Sequence, residues 1–104
     1  MELPVTAVGR GEVRAVEVAG EEYVLWRGSD GRLRSGPRRC PHLDHDLAEG
    51  HVARDELVCR GHAWAFDGAG NAYKRNEFGR VDPKGSVATL TIREEDGIIE
   101  LELR

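Results

Sequence analysis

The chain has 104 residues, of which 39% are hydrophobic and 33% are charged, and its formal net charge is −4. This composition indicates one small globular domain over residues 1–104, and the acidic balance argues against a nucleic-acid partner. No apolar run approaches the roughly 20 residues that cross a bilayer, and the N-terminus lacks the cationic and apolar regions of a secretion signal, so we expect a soluble cytoplasmic protein without membrane contact.

Strands are predicted wherever β-branched and aromatic residues cluster between turn signals. In chain order they cover Val5–Val8, Val13–Val18, Glu22–Arg27, Leu33–Pro37, Glu56–Arg60, Val87–Arg93 and Ile98–Leu103. The clearest hairpin is the last one, whose turn contains Asp96-Gly97, a pair suited to positive φ. Thirteen glycines indicate many tight turns. The predicted fold is all-β, a small antiparallel β-sandwich or barrel with two loops at one end.

The remaining segments carry no regular hydrophobic period. Arg38–Gly50 and Gly61–Ala65 are predicted to be loops, and Phe66–Asn71 contains a turn. Asn76–Gly85 is predicted to be an irregular polar connection, in which Pro83 either starts a third loop or forms an ordinary turn.

The two cysteines of the chain each lie close to a histidine, in Cys40-Pro-His42 and Cys59-Arg-Gly-His62. In a cytosolic chain, such cysteines indicate a metal more often than a disulfide. Zinc is one candidate, because two thiolates and two imidazoles suit tetrahedral Zn²⁺. Zinc fingers, however, pair like ligands within each knuckle, whereas each loop here mixes one Cys with one His. A two-iron cluster needs two thiolates on one iron and two imidazoles on the other, which two mixed loops can supply.

The segment Cys40–Asn71 resembles the cluster-binding segment of Rieske proteins, most closely that of the ferredoxins and oxygenase domains of Rieske non-haem iron oxygenase systems. Beyond the Cys and His residues, the matching positions are Leu47, Glu49-Gly50, Leu57-Val58 and Trp64-x-Phe66-Asp67-Gly68-x-Gly70. The resemblance implies one [2Fe–2S] cluster per chain, bound within a subregion of about residues 38–68. The ligands that it implies are Cys40, His42, Cys59 and His62.

Four positions depart from the usual oxygenase-domain pattern, which reads Cys-Pro-His-Arg-Gly in the first loop. Here Leu43 and Asp44 follow the first His, and Gly61 and Ala63 flank the second, where an aromatic residue and a glycine are common. These departures concern the oxygenase subgroup and not the cluster.

The resemblance also implies a low reduction potential. High-potential Rieske proteins carry hydroxyl-bearing residues two and four positions after the second His, and an extra cysteine in each loop. Here those positions are Trp64 and Phe66, and there is no spare cysteine. We therefore expect a potential near the lower end of the roughly −150 to +300 mV range of Rieske centres.

The leading hypothesis is a monomeric one-electron carrier, not an enzyme, that passes electrons from a flavoprotein reductase to a terminal oxygenase. No catalytic residue is assigned. One alternative is an electron-transfer domain or small subunit of a larger oxidoreductase, either a Rieske oxygenase or a nitrite-reductase-like enzyme. Another is a structural zinc module.

Several other residues near the motif receive less specific predictions. His45 could replace His42 as a ligand, but its C-x₄-H spacing does not fit the motif, and a solvent-facing loop residue is expected. His51 is expected to be exposed, and Asp46 is expected to be a solvated loop charge like Asp44. Trp64 and Phe66 are predicted to pack beneath the cluster and not to conduct electrons.

Overall fold

A computed structural model describes residues 1–41, 45–61, 64–75 and 81–104, and these residues form short antiparallel strands joined by turns. The strands are β1 (Glu2–Pro4), β2 (Val13–Val18), β3 (Glu21–Arg27), β4 (Leu33–Pro37), β5 (His51–Ala53), β6 (Glu56–Val58), β7 (Trp64–Phe66), β8 (Asn71–Arg75), β9 (Val81–Ser86), β10 (Leu90–Glu95) and β11 (Ile98–Leu103). Single 3-10 turns cover Val5–Ala7 and Leu47–Glu49. The described ranges contain no α-helix, so the all-β prediction is confirmed. None of their helical turns has the length and apolarity that a bilayer crossing requires.

The strands form three sheets, with orders β1-β11-β10, β2-β3-β4 and β5-β6-β7-β8-β9. All strand pairs within these sheets are antiparallel, as predicted. The buried hydroxyl of Ser35 in β4 accepts a hydrogen bond of 2.8 Å from the N–H of Leu90 in β10, and so joins the first two sheets. Cys40 follows β4 and Cys59 follows β6, so the cysteine loops leave two different sheets.

Strand β3 supplies side chains to two separate cores. Tyr23 and Leu25 pack in one core with residues of β2, β10 and β11, whereas Val24 and Trp26 pack in a second core that contains both cysteines. Successive side chains of a strand point to opposite faces, so a strand covered on both faces is apolar throughout. This explains why β3 is buried continuously from Tyr23 to Arg27.

Four predicted strands differ from the structure, one of them only in its first residue, since β3 begins at Glu21 and not at Glu22. Val5–Ala7 forms a 3-10 turn because the N-terminal strand lies earlier, at Glu2–Pro4, where it pairs with β11. The strand predicted over Val87–Arg93 is Leu90–Glu95, since Asp96 and Gly97, at φ 51° and 77°, make a two-residue turn that lets β10 continue to Glu95. Strand β6 ends at Val58, not at Arg60, because Cys59 already begins the second cysteine loop.

The irregular connection predicted over Asn76–Gly85 is also corrected, because Val81–Ser86 forms β9 while residues 76–80 lie outside the described ranges. Pro83 is therefore a strand residue opposite Tyr73, beside a register shift between Ala72 and Tyr73. An edge strand tolerates proline because its outer N–H groups need no partner. Strand β7 likewise begins inside the predicted Gly61–Ala65 loop, and the short strands β5 and β8 were missed.

The guanidinium of Arg27, a buried cation at the end of β3, holds the N-terminal segment in place. It donates hydrogen bonds to the carbonyls of Val8 at 2.7 Å, Gly31 at 2.8 Å and Val5 at 3.4 Å. It also forms an ion pair of 2.8 Å with Glu94 of β10. One side chain therefore satisfies main-chain groups of two separate segments and a carboxylate of a third.

Replacing Arg27 with methionine is expected to destabilise the protein by about 3 kcal/mol, because buried carbonyls lose their donors. Glu94→Gln is the matched control, and it should cost less than about 1 kcal/mol, since the amide still accepts a hydrogen bond and the carboxylate is partly exposed. Urea unfolding of both iron-free variants measures the difference. Equal losses of unfolding free energy in the two variants would show that the ion pair, and not the carbonyl contacts, accounts for the stabilisation by Arg27.

Candidate metal centre

The first cysteine, Cys40, lies three residues beyond the end of β4 and is 1% exposed. Its main-chain N–H donates a hydrogen bond of 2.8 Å to the carbonyl of His45. A second bond, of 2.6 Å, runs from the N–H of Leu47 to the carbonyl of Arg38. The two bonds join the start of the loop to its end, so the segment between Cys40 and His45 is closed at its base.

Side chains reinforce the base of this loop. Arg38 donates from Nε and Nη2 to the two carboxylate oxygens of Asp46, at 3.2 and 3.0 Å, and also pairs with Glu22. The Asp46 carboxylate accepts a further bond of 3.0 Å from the N–H of Ala48, which caps the 3-10 turn Leu47–Glu49. The Arg38 guanidinium holds the pKa of Asp46 below its ordinary value. The prediction of a solvated charge at Asp46 was wrong, because this carboxylate is half-buried and closes the loop.

This pKa shift gives a pH-dependent stability. The folded pKa of Asp46 lies below its ordinary value of 3.8, so the ionised carboxylate stabilises the fold above that pH. The contribution is lost as the pH falls through the folded pKa. Iron-free wild type should therefore be more stable than Asp46→Asn at pH near 6, with a difference that shrinks below pH about 4. Urea unfolding across this range measures it, and a difference independent of pH would contradict the assignment.

The second cysteine, Cys59, directly follows β6 and is 2% exposed. Its N–H donates a bond of 2.8 Å to the carbonyl of Trp64, the first residue of β7. Strands β6 and β7 are antiparallel neighbours, so Cys59 sits at the base of the connection between them. The main chain just before Cys59 also lies close to the end of the first loop, because a Cβ built on Gly50 would lie 2.5 Å from the carbonyl oxygen of Val58. Only glycine allows this approach.

Neither cysteine forms a disulfide, and both belong to the same core cluster. The other buried members of that cluster are Val24, Trp26, Leu47, Leu57, Phe66 and Ala72. Trp64 is half-buried and packs against it. The predicted core packing of Trp64 and Phe66 is therefore confirmed.

Two of the four histidines in the sequence lie within the described residues. His42 and His62, the two predicted imidazole ligands, lie outside the described residues, as does Asp44. His51 is exposed at the start of β5, as predicted. His45 is half-buried, and its ring lies against Gly61 of the second loop, so the prediction of a solvent-facing residue was wrong. Nothing in the spacing of the sequence indicated that contact.

The donor chemistry fits a Rieske cluster. Two buried thiols from two loops can bind one iron on the protein side, and each loop carries its histidine two or three residues further on. Among the described residues alone, no three His, Cys, Asp or Glu side chains form a metal-binding group.

The fold and the paired cysteine loops define an iron–sulfur domain of the Rieske class. The family model of the Rieske [2Fe–2S] domain matches residues 2–90. The chain therefore belongs to this family, and its cofactor is a [2Fe–2S] cluster.

Among curated proteins, the chain is 32% identical over 94 residues to 4beta-methylsterol monooxygenase of Methylococcus capsulatus, covering 86% of this chain and 26% of that protein. It is 45% identical over 62 residues to the carnitine monooxygenase oxygenase subunit of Escherichia coli, covering 58% of this chain and 17% of that subunit. The chain thus spans about a quarter or less of these relatives.

Two kinds of solved structure share the fold. Dicamba monooxygenase superposes with a TM-score of 0.83 at 21% identity, over 98% of this chain and 32% of that one. The ferredoxin of carbazole 1,9a-dioxygenase from Nocardioides aromaticivorans superposes with a TM-score of 0.74 at 17% identity, over 98% of this chain and 94% of its own. A carbazole 1,9a-dioxygenase complex of reduced oxygenase and oxidized ferredoxin contains a similar chain, with a TM-score of 0.73 at 18% identity, over 99% of this chain and 95% of that one. At these identities the likeness establishes the fold.

Proposed function

We propose that this protein is a one-electron carrier whose cluster is bound by Cys40, His42, Cys59 and His62. The observation that carries the proposal is the burial of both cysteines in one core cluster, each at the base of a loop that also contains a predicted histidine ligand. When bound, a Rieske cluster takes up and releases single electrons.

The residues around the cysteines favour a low potential. Potentials of iron–sulfur centres rise with hydrogen bonds to the sulfurs. Trp64 and Phe66 carry no hydroxyl group, and the N–H groups of Cys40 and Cys59 are already bonded to the carbonyls of His45 and Trp64. Phe66 adds an apolar wall beneath the site. We therefore propose a reduction potential near the lower end of the Rieske range. A cluster of such low potential is a poor electron acceptor for a quinol.

The proposed route runs from a flavoprotein reductase through this carrier, acting as a monomer, to a terminal oxygenase. It is supported by the likeness to a dioxygenase ferredoxin of nearly the same length and by the solved complex of such a ferredoxin with an oxygenase. The proposed location is the cytoplasm, where thiols stay reduced and can bind iron.

A second candidate is the electron-transfer domain of a Rieske oxygenase. The dicamba monooxygenase fold matches better than the ferredoxin fold, with TM-scores of 0.83 against 0.74. The curated relatives named above are likewise a monooxygenase and an oxygenase subunit. In that case the same four residues would pass electrons to a catalytic iron in a partner or in an adjoining domain.

Anaerobic reconstitution tests both candidates. The carrier hypothesis predicts iron and sulfide uptake, a rhombic electron paramagnetic resonance signal after reduction, and oxidation of the reduced protein by a separately added oxygenase. Stable co-elution with a large catalytic chain, together with no electron transfer as a free protein, would favour the oxygenase-domain candidate. Uptake of zinc without iron would refute both.

A further inference from the structure

The imidazole of His45 occupies the space beside Gly61, on the other cysteine loop. A Cβ built on Gly61 would lie 2.8 Å from Nε2 of His45 and 3.2 Å from both Cδ2 and Cε1. Non-bonded contacts of a Cβ are essentially never shorter than 3.0 Å, so any side chain at position 61 would require a shift of the ring or of the loop. The contact joins the loop that follows β4 to the loop that follows β6.

Backbone conformation does not account for the glycine at position 61. The glycines of positive φ in the described ranges include Gly68 and Gly70 nearby, but not Gly61. The position is also exposed, so a side chain there could otherwise extend into water. The imidazole would have to move to admit a Cβ at this position.

Both members of this contact are fixed close to a cysteine. The carbonyl of His45 accepts the hydrogen bond from the Cys40 N–H, and Asp46, the next residue, is held by Arg38. Gly61 lies two residues after Cys59, whose own N–H is bonded to Trp64. A shift of the ring would therefore be transmitted to the cysteine positions through short main-chain segments.

We propose that His45 is a positioning residue, not a ligand, which holds the second cysteine loop against the first and limits the access of water to the cluster. The inference rests on the proposed function, because it assumes the four ligands named above. Residues outside the ligand shell commonly change metal retention by about 10-fold to 100-fold, and solvent access changes the potential. The reduced cluster carries one negative charge more than the oxidised one, so added water should favour reduction.

The test is a double-mutant cycle of His45→Ala and Gly61→Ala, with His51→Ala as the control at an exposed histidine. Each member of the cycle is reconstituted with iron and sulfide, and its cluster loss to a strong iron chelator is followed by visible absorbance. We expect cluster loss to be about 10-fold faster in each single variant, through a lost contact or a clash. The double variant should lose its cluster more slowly than the product of the two effects predicts, since removing the ring removes the clash.

Two further measurements separate positioning from folding and from ligation. The midpoint potential should rise in His45→Ala and stay unchanged in His51→Ala, whereas a contribution to folding alone would leave the potential unmoved. His45→Phe keeps a ring of similar size, so it should retain the cluster nearly as long as wild type. Loss of the cluster in His45→Phe would identify His45 as a ligand and overturn the proposal.

The possible failures are distinguishable. Multiplicative effects in the cycle, together with an unchanged potential in His45→Ala, would overturn the inference while leaving the carrier function intact. A wild-type protein that takes up no iron would overturn the proposed function, and this inference with it.

Discussion

Replacing Cys59 with serine should give a folded protein that retains almost no iron after reconstitution, against about two irons per chain in the wild type. The hydroxyl is nearly the same size as the thiol, so the core around this buried position stays filled. It is a poor ligand for iron, because the soft thiolate is what iron–sulfur clusters require. Iron and sulfide analysis, together with the visible spectrum, measures the loss.

The matched control is His51→Asn, because His51 is exposed and is not a predicted ligand. That variant should bind iron as the wild type does, whereas Cys40→Ser should fail as Cys59→Ser does. Far-ultraviolet circular dichroism verifies that the serine variants are folded. A stable [2Fe–2S] spectrum in either serine variant would refute the proposed ligand set.

Replacing Trp26 with alanine should cost about 3 to 5 kcal/mol of the free energy of unfolding, a large part of what a domain of this size has. Trp26 is fully buried and packs in the core that contains both cysteines, and a Cβ built on Gly36 of the neighbouring strand would lie 3.4 Å from its indole ring. Its indole N–H also donates a hydrogen bond of 3.1 Å to the carbonyl of Asp55. Urea unfolding of the iron-free protein measures the change.

Trp26→Phe separates packing from hydrogen bonding, because it keeps most of the aromatic volume and removes the donor. We expect Trp26→Phe to lower the free energy of unfolding by about 1 to 3 kcal/mol, the scale of one carbonyl left without its donor plus a small cavity. This loss is smaller than that of Trp26→Ala. A loss below about 1 kcal/mol in Trp26→Ala would show that this core is not packed as described.

The sequence predicted strands well where one hydrophobic period dominates. Val13–Val18 and Ile98–Leu103, which alternate at period two, were predicted with the observed boundaries. Leu33–Pro37 has no such period and was located from the turn that precedes it. The prediction failed for short strands whose formation depends on neighbours. Strand β8 has the sequence Asn-Ala-Tyr-Lys-Arg, which carries little strand propensity, and it forms because β7 and β9 pair with it on both sides.

The sequence predicted the site only where residues of characteristic chemistry lie at a characteristic spacing in the chain. Cys40 and Cys59 were found because thiolates beside histidines suggest a metal. The ion pair of Arg38 with Asp46 and the contact of His45 with Gly61 could not be found that way. Both join residues whose separation in the chain has no fixed period, and an aspartate or histidine in a loop is most often solvated. The first closes one loop on itself, and the second joins the two loops, so both depend on how the chain folds back.

The division of β3 between two cores has a consequence for delivery of the cofactor. One core contains both cysteines, and the other, built on Tyr23, Leu25, Ile99 and Leu101, contains none. We expect an iron-free chain to keep its amide protons protected in β11 while those of β6 exchange faster. A newly synthesised chain would then keep one core firmly closed while it waits for iron and sulfide, which would protect it from aggregation during cluster assembly.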